Sequence, residues 1–187
     1  MAGEAVRSHM SSVATIKRNI IPPHLEVKGG RPLSGILKVS GAKNSSLALM
    51  AASLLTKEKL LIKNVPQLTD IEFMAEILRH LGAKLTKTNN SLEINSRSIH
   101  NIELPYQLVH SLRASFFCVG PLLTRLGEAK IPFPGGCNIG ARPVDEHING
   151  LKALGAEVEV VNDIVKARVV TKDRRLRGSN ITLKYPS

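Results

Sequence analysis

Cys137 is the residue of this chain whose neighbours best suit it to chemistry. It lies in Pro134-Gly135-Gly136-Cys137-Asn138-Ile139-Gly140-Ala141-Arg142-Pro143, a glycine-rich stretch with an arginine close by and a helix pattern starting near Asp145. A cationic side chain and a helix start both favour the thiolate, which suits a thiol to proton transfer or nucleophilic attack. An ordinary loop cysteine would have the same spacing, so both readings stand at this point. Cys118 is different, because Phe116-Phe117-Cys118-Val119 belongs to an apolar helix pattern and reads as core.

Two further stretches carry cations at helix starts. Ser40-Gly41-Ala42-Lys43-Asn44-Ser45-Ser46 is a strand-to-helix turn that could bring backbone amides and one ammonium to a phosphate. It lacks the second glycine and the Gly-Lys-Ser/Thr order of a Walker A loop. Arg113, in His110-Ser111-Leu112-Arg113-Ala114-Ser115, opens a second apolar helix pattern in the same way. A cation is slightly unfavourable at the positive end of a helix. Lys43 and Arg113 could therefore converge on one anion, the alternative being two solvated charges. His147 offers a nucleobase or phosphate contact or is a first-turn surface residue. Lys172, Arg174, Arg175 and Arg177 read as a solvated turn.

The elements that must position these residues occur twice. Leu54-Leu55-Thr56 returns as Leu122-Leu123-Thr124 at an offset of 68, and Leu81-Gly82-Ala83 returns as Leu154-Gly155-Ala156 at an offset of 73. In the first unit the patterns predict a strand over 35–40, a helix over 45–55 and a strand over 60–65. A Thr69-Asp70 cap, a helix over 71–81 and strands over 84–88 and 91–95 follow. The second unit predicts a helix over 111–123, a strand over 128–133, a helix over 145–154 and strands over 157–161 and 164–170. Each is a βαβαββ-like unit, which makes the fold class α/β with about two repeats, near 35–97 and 105–171. The two offsets differ by five residues, an insertion that falls on the Cys137 stretch. A glycine-rich insertion in a repeated scaffold is where function is usually grafted.

Composition narrows the class. The 187 residues are 43% hydrophobic and 22% charged, with 26 Lys and Arg against 15 Asp and Glu, so the chain has material for a core and a net charge of +11. That charge favours anionic ligands, but 3% aromatic content without tryptophan speaks against a base-stacking nucleic-acid platform. No uncharged apolar run approaches the roughly 18 residues of a membrane span. Two cysteines make no disulfide framework and no Cys/His cluster has zinc spacing, which points to a reducing compartment and no metal. Residues 1–24 lack the apolar region of a secretory signal and read as a disordered leader.

Taken together, Ser40-Gly41-Ala42-Lys43-Asn44, Leu112-Arg113-Ala114-Ser115 and Pro134 to Asp145 resemble the UDP-N-acetylglucosamine 1-carboxyvinyltransferases, the enolpyruvyl transferases of peptidoglycan synthesis. The resemblance runs from about residue 25 to the end. The sister family acting on shikimate 3-phosphate shares the architecture but lacks the cysteine loop. The resemblance implies an inside-out barrel of βαβαββ repeats and a cytoplasmic enzyme with neither metal nor cofactor. It also implies transfer of enolpyruvate from phosphoenolpyruvate to the sugar 3′-hydroxyl with release of phosphate. It makes Cys137 the proton donor and the fosfomycin target, with Lys43 and Asn44 at phosphoenolpyruvate and the sugar. Arg113 and Arg142 fall on the substrates' anionic groups, and Pro143, Val144, Asp145, Glu146 and His147 on uridine. Two positions depart from the pattern: Glu146 replaces an apolar residue, and Tyr185, beside Lys184, replaces a substrate-binding lysine. Family members are about twice as long, so residues 25–187 read as an incomplete domain ending at the start of a third repeat. The catalytic aspartate would then belong to a missing half. The implied partners are the two small-molecule substrates and a complementary chain, with no nucleic acid and no membrane; the alternative is a fragment that only binds UDP-sugar or that chain.

Overall fold

A computed structural model of the chain describes residues 26–133 and 144–184. The chain divides into two units, Met1–Leu37 and Lys38–Ser187. In the first, residues 26–37 form no helix or strand, and Val27, Leu33, Ile36 and Leu37 are exposed. In the second, residues 38–40 also lack regular structure, so the strand expected over 35–40 is absent. Ile36-Leu37-Lys38-Val39 has strand-forming side chains, but a strand persists only where a neighbour takes its backbone hydrogen bonds.

The remainder of the second unit runs helix, strand, helix, strand, strand, and then repeats that order. The first set is α1 (Lys43–Ala52), β1 (Lys59–Ile62), α2 (Thr69–His80), β2 (Lys84–Thr88) and β3 (Ser91–Asn95). The second is α3 (Tyr106–Ser111) and α4 (Val119–Leu126), then β4 (Glu128–Pro132), α5 (Asp145–Ala153), β5 (Ala156–Val161) and β6 (Ile164–Val169). Each set closes a three-stranded antiparallel sheet of one plan, β1-β3-β2 and β4-β6-β5. The central strands, β3 and β6, alternate as half-buried strands must. Leu92 and Ile94 of β3, with Val165 and Ala167 of β6, face the core, while Glu93, Lys166 and Arg168 point away. On the outer face of the second sheet Arg168 stands between Glu128 and Glu157 and meets the latter at 2.5 Å.

Local chemistry explains the boundaries. Asn162 and Asp163 both take positive φ, 52° and 59°, as a two-residue hairpin between twisted strands requires. Gly82 follows α2 at φ 102°, and a Cβ there would lie 2.7 Å from His100 Nδ1 and 2.8 Å from the Ser98 carbonyl, so this cap admits glycine alone.

Three expectations need correction. The helix expected over 111–123 is broken: α3 ends at Ser111, Leu112 is extended, Arg113–Cys118 forms a 3-10 helix, and α4 begins at Val119. Pro121 is the third residue of α4, in the first turn, where a proline is tolerated. Thr69 and Asp70 do not cap α2; they are its first residues, Leu68 holds the cap position, and no side chain caps it. The first helix starts earlier than expected, at Lys43, and its last turn, Ser53–Leu55, is 3-10.

The helices pack on one another and on the inner faces of both sheets around one apolar core that includes Leu47, Met50, Met74, Ile77, Leu122 and Ile131. A polar clasp joins the two sets. Arg125, in the last turn of α4, places Nη1 2.9 Å from the Leu54 carbonyl, 2.8 Å from that of Thr56 and 3.0 Å from that of Ser96. Burial pulls the pKa of this guanidinium below its ordinary value.

Cys118 is in the core, fully buried with its thiol 4.0 Å from the Met74 sulfur, as its apolar neighbours suggested. Burial pushes this thiol up to about 12 from an ordinary 9.0. In a Cys137→Ser background, Cys118 is therefore expected to resist maleimide at pH 8 until the chain is unfolded. The sign of the stability effect follows from the same shift: the unfolded thiol ionises first, so stability should fall as pH rises from about 9 towards 12. Rapid labelling of the native chain would contradict both expectations.

Candidate functional site

Three segments meet around the 3-10 helix Arg113–Cys118. The first is the start of α1. Ala42 occupies its cap position, and its carbonyl accepts both the amide of Ser46 at 3.1 Å and the Ser46 hydroxyl at 3.0 Å. Lys43 and Asn44 are the first two helical residues, both exposed, rather than part of a preceding loop. The Lys43 ammonium lies 2.6 Å from the Asp70 carboxylate at the start of α2. Asp70 was expected to serve as a helix cap and instead orients the lysine. The clue available in the sequence was an acid in the first turn of one helix and a base in the first turn of another.

The second segment is the 3-10 helix itself, which packs against α1. Arg113 opens it after the extended Leu112 and is half-buried. Ser115, two residues on, has a fully buried hydroxyl without a hydrogen-bond partner among the described residues. Such a group costs about 1–3 kcal/mol, retained here in the segment that carries the arginine.

The third segment is the start of α5. Val144 is buried and its carbonyl accepts the Ile148 amide at 3.0 Å. The His147 ring meets Phe116 of the 3-10 helix edge-on, with ring centres 5.3 Å apart. This contact brings the uridine stretch of the resemblance beside the arginine segment. Asp145 opens the helix, while Glu146 turns to the following chain: its carboxylate accepts the Lys184 amide at 2.9 Å and lies 3.9 Å from the Lys184 ammonium.

Lys43, Asn44, Arg113, Val144, Asp145, Glu146 and His147 thus fall on three helix starts linked by packing. Cys137, Arg142, Pro143 and Tyr185 lie outside the described residues. Each helix start carries one basic side chain, Lys43, Arg113 and His147, residue types suited to an anionic ligand. Among the described residues no cluster of His, Cys, Asp and Glu could hold a metal ion, and no helix is long and apolar enough to cross a membrane.

Comparison with known proteins gives this geometry a context. Over 178 residues the chain is 90% identical to the UDP-N-acetylglucosamine 1-carboxyvinyltransferase of Prochlorococcus marinus strain NATL2A and to that of strain NATL1A. The match takes in 95% of this chain and 39% of each relative, so the chain spans about two fifths of the curated relatives it matches. Among solved structures, the enolpyruvyl transferase NikO from Streptomyces tendae shares the fold with a TM-score of 0.66 at 22% identity, over 80% of this chain and 32% of that one. Residues 27–187 match the family described as EPSP synthase (3-phosphoshikimate 1-carboxyvinyltransferase), and the chain belongs to that family.

Proposed function

We propose that this chain is part of an enzyme that moves enolpyruvate from phosphoenolpyruvate to the 3′-hydroxyl of UDP-N-acetylglucosamine. The observation that carries the reading is the 90% identity to relatives named for that activity. In the proposed reaction the sugar hydroxyl oxygen adds to C2 of phosphoenolpyruvate while C3 gains a proton. Loss of a C3 proton and of phosphate then regenerates the double bond. Cys137 supplies the proton to C3. Lys43, held by Asp70, and Asn44 receive phosphoenolpyruvate and the sugar. Arg113 and Arg142 take the anionic groups, where positive charge stabilises the departing phosphate. Pro143, Val144, Asp145 and His147 form the nucleotide side. Glu146, engaged with Lys184, faces the chain that follows it.

The same reading makes residues 25–187 an incomplete domain of an inside-out barrel, with repeats near 35–97 and 105–171, the start of a third to 187 and a leader over 1–24. It places the protein in the cytoplasm. The base for the sugar hydroxyl would come from a complementary chain. The second reading is a fragment that binds UDP-sugar or that chain without turnover.

The test is phosphate release from the two substrates by the purified chain, alone and mixed with the remainder of the NATL2A relative. Turnover in the mixture that disappears with Cys137→Ala is the expected result. Failure of the mixture to turn over, with UDP-N-acetylglucosamine still bound, would leave the second reading.

A further inference from the structure

The start of α5 carries the wrong charge for the nucleoside diphosphate it is proposed to receive. Its first turn holds two acids, Asp145 and Glu146, ahead of His147. Carboxylates suit the positive end of a helix, but they repel a diphosphate. Glu146 is removed from that conflict by its own contacts. Its side chain is only 12% exposed, and both carboxylate oxygens are engaged. Oε2 accepts the Lys184 amide at 2.9 Å, while Oε1 accepts a hydrogen bond from Asn149 Nδ2 at 3.4 Å and lies 3.9 Å from the Lys184 ammonium.

The residue that Glu146 holds belongs to a segment running back from the end of α5 to its start. Leu176 packs against the core, and the Arg177 amide donates to the Leu154 carbonyl, just beyond the end of the helix, at 2.8 Å. Lys184 then meets Glu146 at the other end. The backbone of residue 184 is therefore fixed, whereas its ammonium is not. The Lys184 side chain is 68% exposed, and 3.9 Å from the carboxylate is longer than a hydrogen bond. If the ammonium swings away, Glu146 keeps the amides of Lys184 and Asn149 as donors and is not left unpaired.

We propose that Glu146 is a positioning residue and Lys184 a cation of the nucleotide side. The Glu146 carboxylate fixes the backbone of residue 184 at the start of α5, and the Lys184 ammonium turns from that carboxylate to the diphosphate of the sugar nucleotide. The inference rests on the function proposed above, which puts the nucleotide at this helix start. A lysine suits the task, since its compact charge on a flexible stem can leave one anion for another while the backbone stays in place. Glu146 thus acts on the ligand only through residue 184.

The test is calorimetric titration with UDP, over a range of salt concentrations, of the whole chain alone and mixed with the remainder of the NATL2A relative. Lys184→Met is expected to weaken UDP binding about tenfold, the effect of one exposed bond to a charged group, and to flatten its dependence on salt. Glu146→Leu, which frees residue 184, should lose as much, and the double variant no more than either single one. Glu146→Gln keeps an acceptor for the Lys184 amide and should restore the affinity of wild type. Lys184→Met that binds UDP like wild type overturns the proposal and leaves the proposed function standing. So does a loss that is the same at every salt concentration, which marks a purely structural role for the pair. Failure of the wild type to bind UDP in both preparations overturns the proposal together with the function on which it rests.

Discussion

Replacing Arg125 by alanine is expected to lower the stability of the chain by about 3 kcal/mol, since hydrogen bonds to a charged group contribute roughly 1.5–3 kcal/mol each and some of the freed carbonyls will recover water. One guanidinium nitrogen serves the carbonyls of Leu54, Thr56 and Ser96, which end α1's last turn, lead into β1 and follow β3. None of these carbonyls can turn to another donor without unwinding the backbone that presents it. For a chain of this size the loss should appear as a fall in melting temperature of roughly 6–12 °C. Arg125→Lys should lose less, because an ammonium also carries three donors, although on a shorter stem. An alanine variant that melts with wild type would show that the clasp is solvated and idle. Surface pairs such as Arg177 with Asp173 are the control, since solvent screens an exposed ion pair and its removal should leave the melt unchanged.

Arg125 also shows which features of the fold could be read from sequence. The hairpins were legible because period-two alternation and polar turn pairs are local: β2 and β3 fall at 84–88 and 91–95 as expected, and Asn162-Asp163 turns as expected. The glycine after α2 was legible because a left-handed cap is also a local demand. The break at Leu112 was not, since an apolar run from Ser111 to Leu123 has helical composition throughout and only tertiary packing selects the 3-10 path. The strand expected over 35–40 failed for the opposite reason: its side chains favour a sheet, but a strand requires a partner that sequence cannot name. Of the site, the start of α5 at Asp145 was read correctly, whereas α1 begins two residues before the expected 45 and Arg113 opens a 3-10 helix instead of lying inside one continuous helix. The pairing of Lys43 with Asp70 was missed because it joins residues from two helices, and the clasp of Arg125 because its acceptors are backbone carbonyls, which leave no mark in a sequence.

Gly41→Ala is expected to damage both the fold and the proposed site. A Cβ at residue 41 would lie 1.7 Å from the Asn64 carbonyl oxygen and 2.9 Å from its carbon, so the obstacle is main chain and no rotamer change relieves it. Asn64 is held in place, with φ at 57° and the next amide, that of Val65, bonded to the Asn90 carbonyl at 2.7 Å. Displacing it would break a bond that joins the end of β1 to the β2–β3 turn. The alternative is for residue 41 to move, and it precedes the Ala42 cap of α1 by one position. Lys43 would then be drawn from Asp70, which orients it. Overpacking of a fitted site costs about 1–3 kcal/mol and occasionally more, and a clash with backbone belongs at the upper end, so a loss of roughly 3 kcal/mol is expected. Gly150→Ala gives the contrast: nothing lies within 4 Å of its added methyl, and a helical glycine replaced by alanine should gain about 0.5–1 kcal/mol. Thermal melts of the two variants separate a general effect of glycine replacement from a close backbone approach at residue 41. Phosphoenolpyruvate binding, weakened in Gly41→Ala beyond what its unfolded fraction explains, would tie that approach to the position of Lys43. Equal stability of Gly41→Ala and wild type would mean that the turn at Asn64 yields freely and that α1 is not anchored there.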